Sequence, residues 1–413
     1  MLAIECALSK ELAMSGKSNH VQDLRGLSRL TTDAVTQITH LVEAVHLDVV
    51  ERTGSWSGGL HRPVAAATRG VYRAVRGITQ LAGMGVGALI GGLQPLLGER
   101  SGWPGREPMV AALNGVLGDY LVASANPLAI PMQLRVHGKA LRLEREALAH
   151  AFPHAGRRVM VMVHGLCMSD LSWHRRRHDH GAALARALGC NVVYLRYNSG
   201  LHVSTNGREF AGILEQLVQA WPVPIEQLDI IGYSMGGLLA RSAHHYALEA
   251  AHSWPARLAR LAFVGTPHHG APLERRGNWL NTVLGISPYT ARFTRIGNVR
   301  SAGITDLRHG NLLDEDWQTH GRFHHHDNRQ LVPLPPHTQC FAIAGTLGLH
   351  DDELKGRLLG DGLVPTMSAL GQHSDAARVL PIPSERQWIA YGANHLDLLN
   401  RKDVYEQLLN WLG

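Results

Sequence analysis

Residues 228–247, "LDIIGYSMGGLLARSAHHYA", decide how the rest of the chain is read. An apolar run ends at Gly232, one serine follows at position 234 between glycines, and a helical apolar pattern begins directly after it. Gly232-Tyr233-Ser234-Met235-Gly236 fits G-x-S-x-G. At a junction of strand and helix the chain must turn sharply. Such a turn holds the serine in strained backbone with its hydroxyl above the sheet edge, and the flanking glycines leave room for it. The reading is of a nucleophile on an elbow.

Working outward, the same alternation of strand and helix continues. Residues 132–143, "MQLRVHGKALRL", alternate apolar and polar about Gly138, as a hairpin does. Buried strands are expected at "RVMVMVHG", "NVVYLRY", "LDIIGY" and "LARLAFVG", with later ones at "TQCFAIAG" and "RQWIAYG". Helices are expected at "GAALARALG" closed by Gly189, at about 208–221, after Ser234, and at the closing "KDVYEQLLNWL". Short continuous apolar strands between helices imply a mostly parallel sheet covered on both faces, an α/β domain over residues 131–413. Residues 1–130 read instead as a helical region: Leu24, Leu27, Leu30, Ala34, Ile38, Leu41 and Val45 recur at helical spacing. Another helix is expected at 64–78, before the glycine-rich stretch "LAGMGVGALIGGLQPLLG" at 81–98.

Composition narrows the function classes. A chain of 413 residues with 45% apolar and 18% charged residues is an ordinary globular protein with room for more than one folded unit. The net charge of +6 is scattered apart from His174-Arg175-Arg176-Arg177-His178, which reads as a solvated run, and no nucleic-acid-binding motif is present. Cys6, Cys167, Cys190 and Cys340 have neither zinc nor redox spacing, so reduced thiols are expected. Glu5 and Glu11 argue against an export signal, and Gln94 and Pro95 break the 81–98 stretch as a membrane span. A cytoplasmic chain is expected, with peripheral membrane contact through the N-terminal region as a hypothesis.

A serine hydroxyl needs a base, and the base needs a carboxylate to orient it. His395 in "YGANHLDLL" follows the last expected strand on a loop at the sheet edge where the serine emerges. Asp361, in the Gly-flanked turn "LGDGLVP", is the expected acid; Asp306 in "SAGITDLRHG" and Asp397 are rivals. Asp397 is better explained at a helix start. For the oxyanion hole, "VMVHGLCMSD" offers the backbone N–H of Leu166, with Cys167 beside it, and the N–H of Met235 completes the pair.

"VHGL", "GYSMGG", "GTPHHGAPLER", "GDGLVP" and "GANH", in this order, resemble the serine esterase and lipase branch of the α/β-hydrolase superfamily, near the lipase-like proteins grouped with GPI inositol-deacylases. "RYNSGLHVSTNGREF" is similar to the stretch that precedes the elbow helix in bacterial members. The resemblance covers residues 130–413. It implies an α/β-hydrolase fold, a Ser234, Asp361 and His395 triad, and an oxyanion hole from the Leu166 and Met235 amides. It is silent about the first 130 residues.

Other chemistry-bearing residues have plainer readings. The three histidines at 324–326 cannot readily converge on one metal ion, and no Cys/His spacing surrounds them. His268 and His269 shape a loop, His164 steadies the oxyanion turn, and Cys167 is a small packed residue. Residues 270–335 are suited to a lid. The expected function is hydrolysis of a small-molecule or lipid carboxylic ester through an acyl-enzyme, with no cofactor and no metal. The same machinery would serve an acyltransferase or thioesterase, and a non-catalytic lipid-binding protein on this fold is the third reading.

Overall fold

The computed structural model describes residue 26 and residues 106–271, 301–318, 327–349 and 360–413. The helices expected at 24–45 and 64–78, the 81–98 stretch and the histidines at 324–326 lie outside the described residues, Gly26 excepted. The chain forms two compact units. One is Met1–Arg106 with Leu121–Ala129; within it the Asn126 side-chain amide donates to the Gly26 carbonyl at 3.1 Å and its Oδ1 accepts from the Leu128 amide at 3.0 Å. The other, Glu107–Tyr120 with Ile130–Gly413, holds the sheet.

The strands are β1 (Gln133–Val136), β2 (Lys139–Ala140), β3 (Arg158–Val163), β4 (Asn191–Arg196), β5 (Gln227–Tyr233), β6 (Leu258–Val264), β7 (Gln339–Thr346) and β8 (Gln387–Tyr391). Their order is β2-β1-β4-β3-β5-β6-β7-β8. β1 pairs antiparallel with both neighbours, and the rest of the sheet is parallel. The expected hairpin at 132–143 is therefore present, with its second strand reduced to two residues.

Six helices of seven residues or more are described: α1 (Arg106–Ala123), α2 (Arg145–Ala151), α3 (His180–Leu188), α4 (Val203–Ala220), α5 (Met235–Glu249) and α6 (Lys402–Leu412). Because successive strand side chains point to opposite faces, each parallel strand feeds two cores. Val159, Val161 and Val163 of β3, with Ile230 and Phe263, join Phe210 and Leu214 of α4 and Leu238 and Leu239 of α5. Met160 and Met162 of the same strand, with Ile231 and Ala262, join Leu184 of α3 and Val404 and Leu408 of α6. Both faces are covered, which is why these strands read as unbroken apolar runs.

One boundary differs from the sequence reading. α3 ends as expected at Gly189, which is left-handed at φ 63°, but α4 begins at Val203 rather than near 208. The extra turn is held by Asp306, whose Oδ2 accepts from the Val203 amide at 2.8 Å. Within the stretch expected to form a lid, residues 301–313 are largely buried: Ile304, Leu307, Leu312 and Leu313 belong to the α4 and α5 core. Residues 272–300 and 319–326 lie outside the described residues. Among the described residues no helix is long and apolar enough to cross a membrane.

Candidate functional site

Four loops, those after β3, β5, β7 and β8, leave the sheet at the C-terminal edge of the parallel strands. The connections after β3 and β5 depart in opposite directions, since β4 lies on one side of this pair and β6 on the other. Ligand crevices of open α/β sheets form where the strand order reverses in this way. The turn after β3 carries His164, Gly165, Leu166 and Cys167, and the turn after β5 carries Ser234.

Ser234 has φ 52° and ψ −124°, a conformation that strains any residue with a Cβ by about 1–3 kcal/mol. Its amide donates to the Val264 carbonyl at 2.8 Å and its carbonyl accepts from Gly237 at 3.1 Å, so both sides of the bend are pinned. The flanking glycines are steric necessities. A Cβ on Gly232 would lie 2.5 Å from Gly237 Cα, and one on Gly236 would overlap the Val163 carbonyl oxygen. Ser234 keeps partial exposure while Tyr233 and Met235 on either side are buried.

His395 and Asp361 stand together. His395 Nδ1 lies 2.6 Å from Asp361 Oδ2, both side chains being almost fully buried. Asp361 Oδ1 is occupied by the Leu363 and Val364 amides at 3.0 and 2.9 Å, which fixes the carboxylate plane. Tyr233, the residue before the serine, donates its hydroxyl to the His395 carbonyl at 2.8 Å and sets its ring 4.9 Å from the imidazole. Gly265, with φ 62°, runs so close that a Cβ there would sit 3.1 Å from His395 Cε1.

The two rival carboxylates are engaged elsewhere. Asp306 is buried; besides Val203 it accepts from Asn311 at 3.2 Å and lies 3.1 Å from His202 Nδ1. Burial holds its carboxyl above the usual range. Asp397 completes a reciprocal cap with Asn394 at the start of the short helix His395–Leu399.

On the opposite wall, a Cβ on Gly165 would lie 2.9 Å from Ser234 Cβ, so the turn after β3 approaches the serine as closely as glycine permits. Neither the Leu166 nor the Met235 amide has a protein acceptor among the described residues. The Cys167 amide is different: it donates to Ser199 Oγ at 3.0 Å and is taken out of the set of free donors. Cys167 is itself left-handed at φ 60°, and removal from water pushes its thiol up to about 12, which leaves it protonated and unreactive. His164 Nδ1–H donates to the Gly165 carbonyl at 2.8 Å, its ring stacks on Tyr197, and burial lowers it to about 4. It braces the turn as a neutral ring.

Sequence reasoning passed over two contributors. Ser199 sits in the quoted "RYNSGLHV" segment, but nothing local shows that its hydroxyl meets Cys167. The α1 segment Glu107–Tyr120 touches the same turn, because a Cβ on Gly115 would overlap Cys167 Sγ. Among the described residues no group of three or more His, Cys, Asp or Glu is placed to hold a metal ion.

Residues 210–341, about a third of the chain and including Ser234, match the family model described as PGAP1-like alpha/beta domain. Over that stretch the chain is similar to the PGAP1-like alpha/beta domain. The matched stretch ends before Asp361 and His395. Among solved structures, the mature lipase BlEst2 of Bacillus licheniformis is 20% identical with a TM-score of 0.42, over 68% of this chain and 98% of that one. A putative hydrolase from Agrobacterium vitis is 16% identical with a TM-score of 0.38, over 68% and 90%. The Pyrococcus furiosus esterase PF2001 is 15% identical with a TM-score of 0.36, over 62% and 83%. No match is found among curated protein sequences.

Proposed function

We propose that the protein is a serine hydrolase that cleaves carboxylic esters, lipid esters included, through an acyl-enzyme. Ser234 attacks the ester carbonyl; His395 accepts its proton and returns it to the leaving alcohol; Asp361 holds the imidazole so that the other ring nitrogen faces the serine. The oxyanion is received by the Leu166 and Met235 amides, and water then releases the acid. No cofactor enters this sequence of steps.

The observation that carries the reading is the buried 2.6 Å contact of Asp361 with His395, on the same sheet edge as a serine in strained backbone. The two unpartnered amides beside that serine support the oxyanion assignment, and the engagement of Asp306 and Asp397 elsewhere supports Asp361 as the acid. In this reading residues 131–413 form the catalytic domain, joined in one compact unit by Glu107–Tyr120. The region before it is the candidate for contact with a lipid surface.

The test is covalent labelling of purified protein by a fluorophosphonate together with hydrolysis of p-nitrophenyl esters of increasing chain length. Wild type should label once and turn over ester, and folded Ser234→Ala should do neither. Wild-type turnover in that variant would end the proposal.

A further inference from the structure

A cavity of about 220 Å³ lies behind the loop that follows β6, and neither Ser234 nor His395 lines it. It far exceeds the ~15 Å³ that one water needs. Its charged and ring-bearing walls are Arg241 of α5, His268 and His269 of the loop, Arg329 and Arg378.

Arg241 is 5% exposed and, among the described residues, makes no ion pair, the Asp316 charge acting on it without contact. Its Nη2 donates to the Val332 carbonyl at 2.7 Å and its Nη1 faces His268 Nδ1 at 3.4 Å, while its Nε has no partner. Burial lowers it only to about 10, so it is a cation at neutral pH. Arg329 and Arg378 share Asp327, at 2.8 and 3.3 Å, and Arg378 also lies 3.8 Å from the exposed Asp375. Neither carboxylate reaches Arg241. A guanidinium taken out of water without a counter-ion costs several kcal/mol.

The imidazoles add to the imbalance. His268 is fully buried and its Nε2 has no partner. Because its Nδ1 accepts from Arg241, the ring proton sits on Nε2, which makes that atom a buried donor without an acceptor. His269 makes no ring hydrogen bond of good geometry, its ring lying beside the Gly371 backbone. Burial keeps both rings well below the ordinary histidine range, so they offer neutral N–H groups.

We propose that this cavity binds a phosphate-class oxyanion, held by Arg241 and Arg378 and completed by the His268 and His269 ring nitrogens. A guanidinium fork matches phosphate oxygens, and an anion with three or more acceptor oxygens meets donors that one carboxylate would leave unfilled. The site is independent of whatever Ser234 does.

The experiment titrates the full chain with inorganic phosphate by calorimetry, against chloride at matched ionic strength. Saturable binding is expected, weakened about tenfold in Arg378→Gln, equal to about 1.4 kcal/mol, and more in Arg241→Gln. Should Arg241→Gln fail to fold by circular dichroism, Arg378→Gln carries the test, since that side chain is 19% exposed. Absence of saturable binding, or wild-type affinity in folded Arg378→Gln, overturns the proposal. Competition by glycerol 3-phosphate supports the site and marks a free ester as the source; competition by phosphatidic acid vesicles, but not phosphatidylcholine vesicles, supports it and marks a lipid headgroup.

Discussion

His395 meets Asp361 twice. Its ring Nδ1 lies 2.6 Å from the Asp361 carboxylate, and its backbone amide donates to the Asp361 carbonyl at 3.0 Å. Two loops that lie 34 residues apart in sequence are thus locked through main chain and side chain together, so the imidazole cannot turn without moving both.

That double contact separates the candidate acids. Asp361→Asn keeps the backbone bond but favours the wrong tautomer, and kcat/KM should fall by roughly 10³- to 10⁴-fold, a size set by the protease example. Asp306→Asn should cost about tenfold at most in kcat/KM and show itself in Tm, because the carboxylate fixes the start of α4. A large kinetic loss at Asp306 with little at Asp361 would reverse the assignment.

Ser234 offers a stability test besides the kinetic one. Its φ of 52° with ψ of −124° is costly for alanine and serine alike and open to glycine. Ser234→Gly should therefore be at least as stable as wild type in thermal melts, despite the entropic penalty of about 0.5–1 kcal/mol that glycine usually carries, and should be inactive. A Gly variant less stable than Ser234→Ala would contradict the strain seen at the elbow.

The turn after β3, proposed to receive the oxyanion, packs against Gly115 of α1. Gly115→Ala would force Cys167 aside, and since Cys167 follows Leu166 directly, the displaced amide should lower fluorophosphonate labelling by about tenfold or more. Ser199→Ala should produce a milder loss, with a Tm drop reflecting roughly 1–3 kcal/mol for an unpaired buried N–H. Unchanged labelling in a folded Gly115→Ala protein would show that the turn does not need this clamp.

Acid should unfold the protein through its histidines. His164, His180 and His244 are pushed to about 4, in each case chiefly by burial, from 6.5. The unfolded chain then binds more protons between those values, so stability is complete above about pH 6.5 and falls as pH drops toward 4. Each such histidine contributes up to about 1.4 kcal/mol per pH unit in that window. Urea melts at pH 7, 6 and 5 measure the slope, and His164→Gln should flatten it. A slope unaltered by that change would mean that His164 titrates normally.

Truncation tests the N-terminal region. Removing residues 1–105 spares Glu107–Tyr120 and should weaken action on emulsified esters more than on soluble short-chain ones. Removing residues 1–125 also deletes Gly115 and should depress both. Equal losses from the shorter deletion would assign the region to stability.

What was legible in the sequence was local. The elbow, the Gly189 stop and the closing helix over 402–412 each rest on neighbours a few residues away, and two-faced burial wrote itself into β3, β5 and β6 as unbroken apolar runs. The misplaced start of α4 has the opposite cause: its cap is Asp306, 103 residues from Val203 in sequence. Ser199 and Gly115 were silent for the same reason. Nothing in the spacing around Arg241 shows that its guanidinium is enclosed by Val332 and His268.

The two-residue strand β2 has a consequence for how this molecule behaves among its own copies. A sheet edge is a template whose unpaired amides and carbonyls recruit other strands, and its danger grows with its length. Here that edge is only Lys139–Ala140, exposed and carrying a positive charge. A second molecule finds almost no ladder to continue there, and two lysines brought edge to edge repel. The hairpin of β1 and β2 thereby works as a stopper, keeping a highly apolar parallel sheet from growing into a fibril along its β1 side.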